Sequence, residues 1–205
     1  MLIVGAGAAG KETLGILLID KKNEKICFFD ENKNYPDLLY DKYKIIKSIE
    51  QAKEYIDNKD NRFITAIGHP RLREKMTNKF ENIGGKLTSL IFSRTNLLFD
   101  RFSKLNNGII IQPGVTISYN VQIGKCCMLH ANSVIGHSVQ IGKYVSVATN
   151  VSIIGPTVIG DYCVIGANSV VLPNLKIGNN VIVGAGSVVN RNLQDYESFL
   201  SPRNA

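Results

Sequence analysis

Residues 133–142 read SVIGHSVQIG, in which an aliphatic residue followed by glycine occurs at Ile135 and, six positions later, at Ile141. The spacing continues in both directions, because every sixth residue from Ile111 to Val189 is Ile, Leu or Val. If about a third of positions carried such residues, the run has chance odds of about 10⁻⁷. A period of six fits neither an α-helix nor the alternation of a simple strand, and it predicts a parallel β-helix.

Three six-residue repeats make one triangular coil, so residues 109–189 predict four to five coils. Glycine and asparagine near the repeats suit corners that need unusual backbone angles. Cys127 and Cys163 fall on inward positions and are predicted to be small core residues, whereas Cys126 is predicted to face outward. The four cysteines show neither metal-ligand spacing nor a disulfide-dense pattern, so no metal site is predicted.

The first hundred residues predict a different domain, a small parallel α/β sheet. A glycine loop of the form G-x-G-x-x-G, GAGAAG at 5–10, lies between an apolar strand and a helical stretch, as nucleotide-binding loops do. The predicted strands cover residues 2–4, 26–29, 62–67 and 86–91. Because the segment is too short for a two-halved dinucleotide fold, it favours a mononucleotide or a nucleotide-sugar over intact NAD.

The composition of the chain limits the possible classes of function but does not identify one. The 205 residues carry 24 Lys and Arg against 17 Asp and Glu, a net charge of +7 that favours anionic partners: nucleic acid, nucleotide or cofactor phosphates. The apolar runs are far short of the ~20 residues of a membrane span. With no secretory signal pattern at its start, the chain is expected to be cytoplasmic and not to bind a membrane.

The order of the two domains resembles that of the sialic-acid O-acetyltransferase and nucleotide-amino-sugar N-acetyltransferase family. The resemblance is carried by IVGAG at 3–7, SVIGH at 133–137, VIGD at 158–161 and IGANSVVLP at 165–173. It implies a bacterial homotrimer that uses acetyl-CoA as co-substrate. It also implies a Rossmann-like nucleotide-sugar-binding domain at 1–92 and a left-handed parallel β-helix acyltransferase domain at 93–205.

The same resemblance implies the site residues. His137 takes the position of the general base, and His130 is a candidate for substrate contact. The nucleotide-sugar would lie against Gly7, Ala8 and Ala9, with Asp30 and Glu31 at the base or ribose and Gly68 nearby. Acetyl-CoA would lie between neighbouring β-helices near Ser146, Gly155, Ala167 and Ala185, with Lys176, Arg191 and Arg203 as candidates for its phosphates.

Three positions depart from the family pattern. Ser138 follows the histidine where many relatives carry an acidic residue, Ser146 stands where many carry a second histidine, and Ala8-Ala9-Gly10 replaces a usual Gly-His-Gly. The leading hypothesis is N-acetylation of a UDP- or dTDP-linked 4-amino-4,6-dideoxy sugar for surface glycan assembly. The alternatives are O-acetylation of a sialic-acid-like sugar, a catalytically silent nucleotide-sugar-binding trimer and an NAD-linked oxidoreductase. The positive charge is assigned to CoA and nucleotide phosphates, and no nucleic-acid partner is expected.

Overall fold

The computed structural model describes residues 1–20, 24–98 and 103–200 and divides the chain into two compact units, Met1–Leu90 and Ile91–Ala205. The candidate phosphate contact Arg203 lies outside the described residues. Across the described ranges, every helix is too short or too polar to cross a membrane.

The first unit contains a six-stranded sheet with the order β3-β4-β2-β1-β5-β6 over the residues described. The neighbouring strands are parallel except β3 and β4, which are antiparallel. Its elements are β1 (Leu2–Val4), α1 (Ala8–Asp20), β2 (Cys27–Phe29), β3 (Leu38–Leu39), β4 (Tyr43–Ile46), α2 (Ile49–Asn58), β5 (Arg62–Thr65), α3 (Pro70–Asn82) and β6 (Lys86–Leu87).

Continuous apolar runs form the central strands, since a parallel strand is covered on both faces. Every residue of β1 and β2 is buried. Helix α3 packs onto the sheet through Phe80, whose ring lies 4.8 Å from that of Phe29 and 5.4 Å from that of Phe63. The predicted Rossmann-like parallel sheet is therefore confirmed.

Two parts of this sheet differ from the sequence prediction. Strands β3 and β4 were missed because they are only two and four residues long and carry little periodicity. Helix α2 was also missed, although Ser48 caps its N-terminus and its buried residues Ala52 and Ile56 have helical spacing. The strand predicted at 86–91 is two strands: β6 joins this sheet, whereas Leu90–Ile91 joins a sheet of the β-helix.

The second unit is a left-handed parallel β-helix built from three parallel sheets, here called faces, in the described part of the chain. Face 1 comprises Leu90–Ile91, Ile110–Ile111, Met128–Leu129, Ser146–Val147, Val164–Ile165, Ile182–Val183 and Ser198–Phe199. Face 2 comprises Asn96–Leu97, Thr116–Ile117, Val134–Ile135, Ser152–Ile153, Val170–Val171 and Val188–Val189. Face 3 comprises Lys104–Leu105, Gln122–Ile123, Val139–Ile141, Thr157–Ile159 and Lys176–Ile177.

Coils repeat every eighteen residues, so each aliphatic anchor stacks on the anchor of the next coil. Ile117 is paired with Ile135, and Ile135 with Ile153. All fourteen anchors from Ile111 to Val189 belong to one buried core and are at most 4% exposed. Burying an aliphatic side chain of this size stabilises a fold by about 1.5–3 kcal/mol. The columns of anchors are thus the main apolar core of the unit.

The β-helix extends beyond the predicted repeats at both ends. Leu97 is paired with Ile117, twenty positions later, and Val183 with Phe199, sixteen positions later. Two extra residues in the first coil and two fewer in the last interrupt the six-residue spacing. A search for an unbroken period therefore misses the strands beyond these interruptions, although Leu105, six positions before Ile111, keeps the period and pairs with Ile123.

The cysteines follow the coil geometry. Cys127 and Cys163 are buried in the core as predicted, and burial raises the pKa of Cys163 to about 11. Cys126 was predicted to face outward, which would expose it to solvent; this was wrong, because Cys126 is buried, with only 1% of its surface exposed. It lies at a corner with φ +56°, in the same column as Tyr144 and Tyr162, whose stacked rings are 5.6 Å apart. A corner position of this β-helix can therefore be buried.

Asp60 provides a test of the first unit. Arg62 donates to both Asp60 oxygens, at 3.0 and 2.7 Å, and to Glu24 Oε1 at 2.7 Å. The Arg62 hydrogen bonds hold the pKa of Asp60 below its usual value. A lowered folded-state pKa gives stability above the unfolded pKa near 4, which is lost as pH falls through the folded value. Asp60→Asn is expected to lower the free energy of unfolding by about 1 kcal/mol at pH 7.

The measurement is urea unfolding of both proteins at neutral and strongly acidic pH. The difference between them should shrink as the pH falls, because Asp60 in the wild type becomes protonated. Asp57→Asn is the control: it removes an exposed pair with Lys53 at 2.9 Å and should cost about 0.3–0.5 kcal/mol. A difference for Asp60→Asn that does not vary with pH would contradict the assignment.

Candidate active site

His137 lies on the edge of the β-helix where face 2 passes into face 3. It follows Gly136, directly after the strand Val134–Ile135, and precedes Val139–Ile141. The anchor Ile135 points into the core, the chain turns at His137 and Ser138, and His137 is exposed. An exposed imidazole on a rigid coil can exchange a proton with a bound substrate.

The two coils next to His137 place different residues beside it. In the preceding coil the ring of Tyr119 stacks on the imidazole, with 5.4 Å between centroids and 11° between planes. In the following coil the corresponding residue is Gly155, and a Cβ built there would lie 1.6 Å from the His137 carbonyl oxygen. Gly155 was predicted as a cofactor contact, and its lack of a side chain is required by the backbone of His137.

Ser138 stands beside His137 in the left-handed region, with φ +57°. Its N–H donates to the Tyr119 carbonyl oxygen at 3.1 Å, and its hydroxyl accepts from Asn120 Nδ2 at 3.2 Å. The position after the histidine thus offers an uncharged hydroxyl, held by an amide on the preceding coil.

The other predicted residues of the β-helix occupy a different edge or face. Ala167 and Ala185 are stacked on successive coils at the edge between faces 1 and 2, and Gly186 N–H donates to Ala167 O at 2.8 Å. His130 follows the face 1 anchor Leu129 and is partly buried, while Ser146 is buried within face 1. One chain therefore brings His137 and Gly155 together but places the two alanines at the opposite edge of face 2.

A groove of about 280 Å³ runs along face 3, lined in part by Gly124, Gly142 and Gly160. A Cβ at any of these glycines would lie 2.5–2.8 Å from backbone atoms of the next coil. Coil stacking alone therefore accounts for these glycines. Of the two described candidates for CoA phosphates, Lys176 is exposed on this face, whereas Arg191 is paired with Glu197 at 2.7 Å.

A second group of predicted residues lies where β1, β2 and β5 end, because the carboxyl ends of parallel strands share one edge of a sheet. The glycine loop follows β1 and leads into α1 at Ala8. A Cβ at Gly5 would lie 2.7 Å from Ala66 O, and one at Gly10 would lie 2.0 Å from Gly5 O. At Gly7 only Tyr35 Oη is near, at 3.6 Å. Gly5 and Gly10 are thus required by packing, whereas Gly7 borders open space.

The acidic residues after β2 have two different environments. Asp30 Oδ2 accepts from the Ala6 N–H at 2.9 Å, and Oδ1 accepts from Asn32 N–H at 3.0 Å, so this carboxylate holds the glycine loop. Glu31 is exposed and forms an ion pair with Lys79 of α3. Each Asp30 oxygen keeps a further lone pair with which it can accept from a ligand.

Arg73 was not recognised as a residue of this region. Its side chain is fully buried, and Nη1 donates to the carbonyl oxygens of Ile67 at 2.6 Å and Gly68 at 2.9 Å. Gly68 itself is exposed, with open space where a side chain would be. The signal was present in the sequence, because Arg73 shares a helical spacing with the buried residues Met76, Thr77 and Phe80.

Comparison with known proteins matches both units. Residues 1–80 match the model of the PglD N-terminal domain, and residues 120–155 and 156–191 match the model of the bacterial transferase hexapeptide with six repeats. Together these ranges cover most of the chain. No curated protein sequence matches the chain closely enough to count as a relative.

Solved structures share the whole fold at low identity. A variant of perosamine N-acetyltransferase from Caulobacter crescentus, in complex with CoA and GDP-perosamine, is 23% identical with a TM-score of 0.88, covering 98% of this chain and 92% of that one. WeeI from Acinetobacter baumannii AYE is 23% identical with a TM-score of 0.85, covering 96% and 94%. The acetyltransferase domain of PglB from Neisseria gonorrhoeae FA1090, with acetyl coenzyme A, is 17% identical with a TM-score of 0.86, covering 98% and 95%.

At this level of identity the structural likeness establishes only the fold, whereas the two domain models identify which families the two parts of the sequence match. The residues matched by the first model include the glycine loop, and those matched by the second include most of the six-residue repeats. The chain therefore combines a PglD-type N-terminal domain with the hexapeptide repeats of bacterial transferases.

Proposed function

We propose that this protein transfers the acetyl group of acetyl-CoA to the amino group of a nucleotide-linked 4-amino-4,6-dideoxy sugar. The observation that carries the proposal is the exposed imidazole of His137 on a rigid edge of the β-helix. Structural neighbours support the substrate classes, since their names include perosamine N-acetyltransferase with CoA and GDP-perosamine and an acetyltransferase domain with acetyl coenzyme A.

His137 acts as the general base in this proposal. Its neutral imidazole accepts a proton from the sugar amine as the nitrogen forms a bond to the thioester carbonyl carbon. The carbon–sulfur bond then breaks, and the imidazolium returns the proton to the departing CoA sulfur. Histidine suits both steps because its charge changes readily near neutral pH. General acid–base catalysis of this kind contributes about 10²–10⁴-fold to the rate.

The first unit binds the nucleotide. Backbone N–H groups at Gly7, Ala8 and Ala9 meet the phosphates at the N-terminus of α1, where the helix dipole favours negative charge. Asp30 and Glu31 accept from ribose or base groups, and Gly68 leaves space beside them. Asp30 also holds the loop through Ala6, which orders the site before the ligand arrives.

Acetyl-CoA lies between neighbouring copies of the chain, near Ser146, Gly155, Ala167 and Ala185. Within one chain the edge with His137 and the edge with the two alanines are separated by face 2, so a second copy is needed to bring such edges together. Face 2 exposes Val134 and Val188, which are 43% and 56% exposed, as an apolar surface for that contact. We infer a homotrimer and a cytoplasmic location.

His137→Ala is expected to lower kcat by about 10²–10⁴-fold, because it removes the general base proposed for this step. The measurement is release of CoA thiol in the presence of GDP-, UDP-, dTDP- and CMP-linked amino sugars. A thiol reagent reports on CoA alone, since all four cysteines are buried and free. Asn190→Ala is the control, an exposed residue on the same edge.

Full turnover by His137→Ala would show that the general-base assignment is wrong. If the wild type consumes no acetyl-CoA with any sugar and yet is stabilised by nucleotides, the protein is a silent nucleotide-sugar-binding trimer. Acetylation of a hydroxyl on a sialic-acid-like sugar, and of no amine, would favour the O-acetyltransferase alternative. Light scattering that finds a monomer would contradict the shared acetyl-CoA site.

Gly7→Ala tests the nucleotide site separately. A methyl group fits the folded loop, so the free energy of unfolding should fall by only about 0.5 kcal/mol, whereas nucleotide affinity should fall at least about tenfold as the methyl group meets the phosphates. The measurement is thermal unfolding with and without nucleotide, because ligand at 100 times its Kd adds about 2.7 kcal/mol.

Gly15→Ala is the matched control, since Gly15 lies within α1 and nothing surrounds its Cβ position within 4 Å. This variant should gain up to about 1 kcal/mol and keep the nucleotide shift. An unchanged nucleotide shift in Gly7→Ala would contradict phosphate binding at this loop.

A further inference from the structure

Tyr119 is the ring against which His137 rests. It lies eighteen residues earlier, at the same edge of the preceding coil, and is 52% exposed. The two rings are nearly parallel, 11° apart, with centroids at 5.4 Å. Because Tyr119 is half exposed and outside the apolar core, its ring has little packing role in the interior of the β-helix.

The backbone around the two rings fixes their alignment. Ser138 N–H donates to the Tyr119 carbonyl oxygen at 3.1 Å, and Asn120 Nδ2 donates to Ser138 Oγ at 3.2 Å. Asn120 and Ser138 both adopt left-handed backbone angles, with φ of +54° and +57°. Hydrogen bonds thus join the two coils at the positions directly after the ring pair.

The two faces of the imidazole differ in what the coils supply. One face meets the Tyr119 ring, whereas the following coil offers Gly155, which has no side chain. The residue directly after His137 is the uncharged Ser138, whose hydroxyl is engaged by Asn120. Tyr119 is therefore the aromatic partner that the structure supplies to the imidazole.

We propose that Tyr119 is a positioning residue for the reaction, which holds the imidazole of His137 in one orientation and stabilises the imidazolium that forms when His137 takes the proton. The proposal rests on the proposed function, in which His137 is the base. The face of an aromatic ring is electron-rich, so it attracts a cation within about 6 Å more strongly than a neutral group. The stack also restricts rotation of the imidazole, and correct orientation of a catalytic group speeds a reaction.

The experiment compares Tyr119→Leu, Tyr119→Phe and Tyr196→Leu. Tyr119→Leu removes the ring and should lower kcat about fivefold, with KM for both substrates changed by less than about twofold. Tyr119→Phe keeps the ring and should retain kcat within about twofold. Tyr196→Leu is the control, an exposed tyrosine of the same β-helix at a different edge, and should behave as the wild type.

A second readout does not depend on turnover. The chain has three histidines, so the Cε1–H resonance of His137 can be assigned by its loss in His137→Ala. The ring current of residue 119 should displace this resonance in the wild type and in Tyr119→Phe but not in Tyr119→Leu. Titration of the same resonance against pH reports whether the ring favours the imidazolium, which a purely structural role would not change.

The outcomes separate this proposal from the one on which it rests. If His137→Ala is inactive while Tyr119→Leu keeps the wild-type kcat, the role of Tyr119 is wrong and His137 remains the base. If Tyr119→Phe loses as much kcat as Tyr119→Leu, the hydroxyl is responsible and the stacking proposal is wrong. A loss confined to KM, or an unchanged titration of the His137 resonance in Tyr119→Leu, would also overturn it. Full activity of His137→Ala would instead contradict the proposed function.

Discussion

Backbone hydrogen bonds between successive coils are the interaction on which this structure depends. They join equivalent positions eighteen residues apart, as between Ile135 and Ile153, and set a spacing of about 4.8 Å. At that distance aliphatic anchors from one coil to the next are in continuous contact, and their columns make the core. The same spacing admits only glycine where two backbones approach most closely, as at Gly155 next to the His137 carbonyl.

The coil spacing also allows rings of successive coils to stack outside the aliphatic core. Tyr144 and Tyr162 stack with 5.6 Å between centroids and 2° between planes, and Tyr119 and His137 stack in nearly the same way on another edge. Parallel rings on neighbouring coils are therefore a general consequence of the repeat. The pair at His137 differs from the tyrosine pair, because the imidazole can bind and release a proton near neutral pH.

The first unit orders its loops by a different means, with polar side chains that hydrogen-bond to the loop backbone. Asp30 accepts the Ala6 N–H, and the buried guanidinium of Arg73 holds the carbonyl oxygens of Ile67 and Gly68. Asp30 connects the end of β2 to the glycine loop, and Arg73 connects helix α3 to the loop that follows β5. Loops ordered in this way keep their geometry when a ligand replaces water, which lowers the entropic cost of binding.

The amino-acid sequence by itself determined the β-helix and the glycine loop, because both can be recognised from the spacing of residues that are close in sequence. An aliphatic residue every six positions leaves one arrangement in which all fourteen side chains are buried, and His137 then falls on an edge. Only the tertiary structure decided which outward residues meet. The burial of Cys126, the inward turn of Arg73 and the stacking of Tyr119 on His137 depend on residues one coil or one helix away. Such contacts follow from the register between coils and from packing, and neither can be predicted from the spacing of residues along the chain.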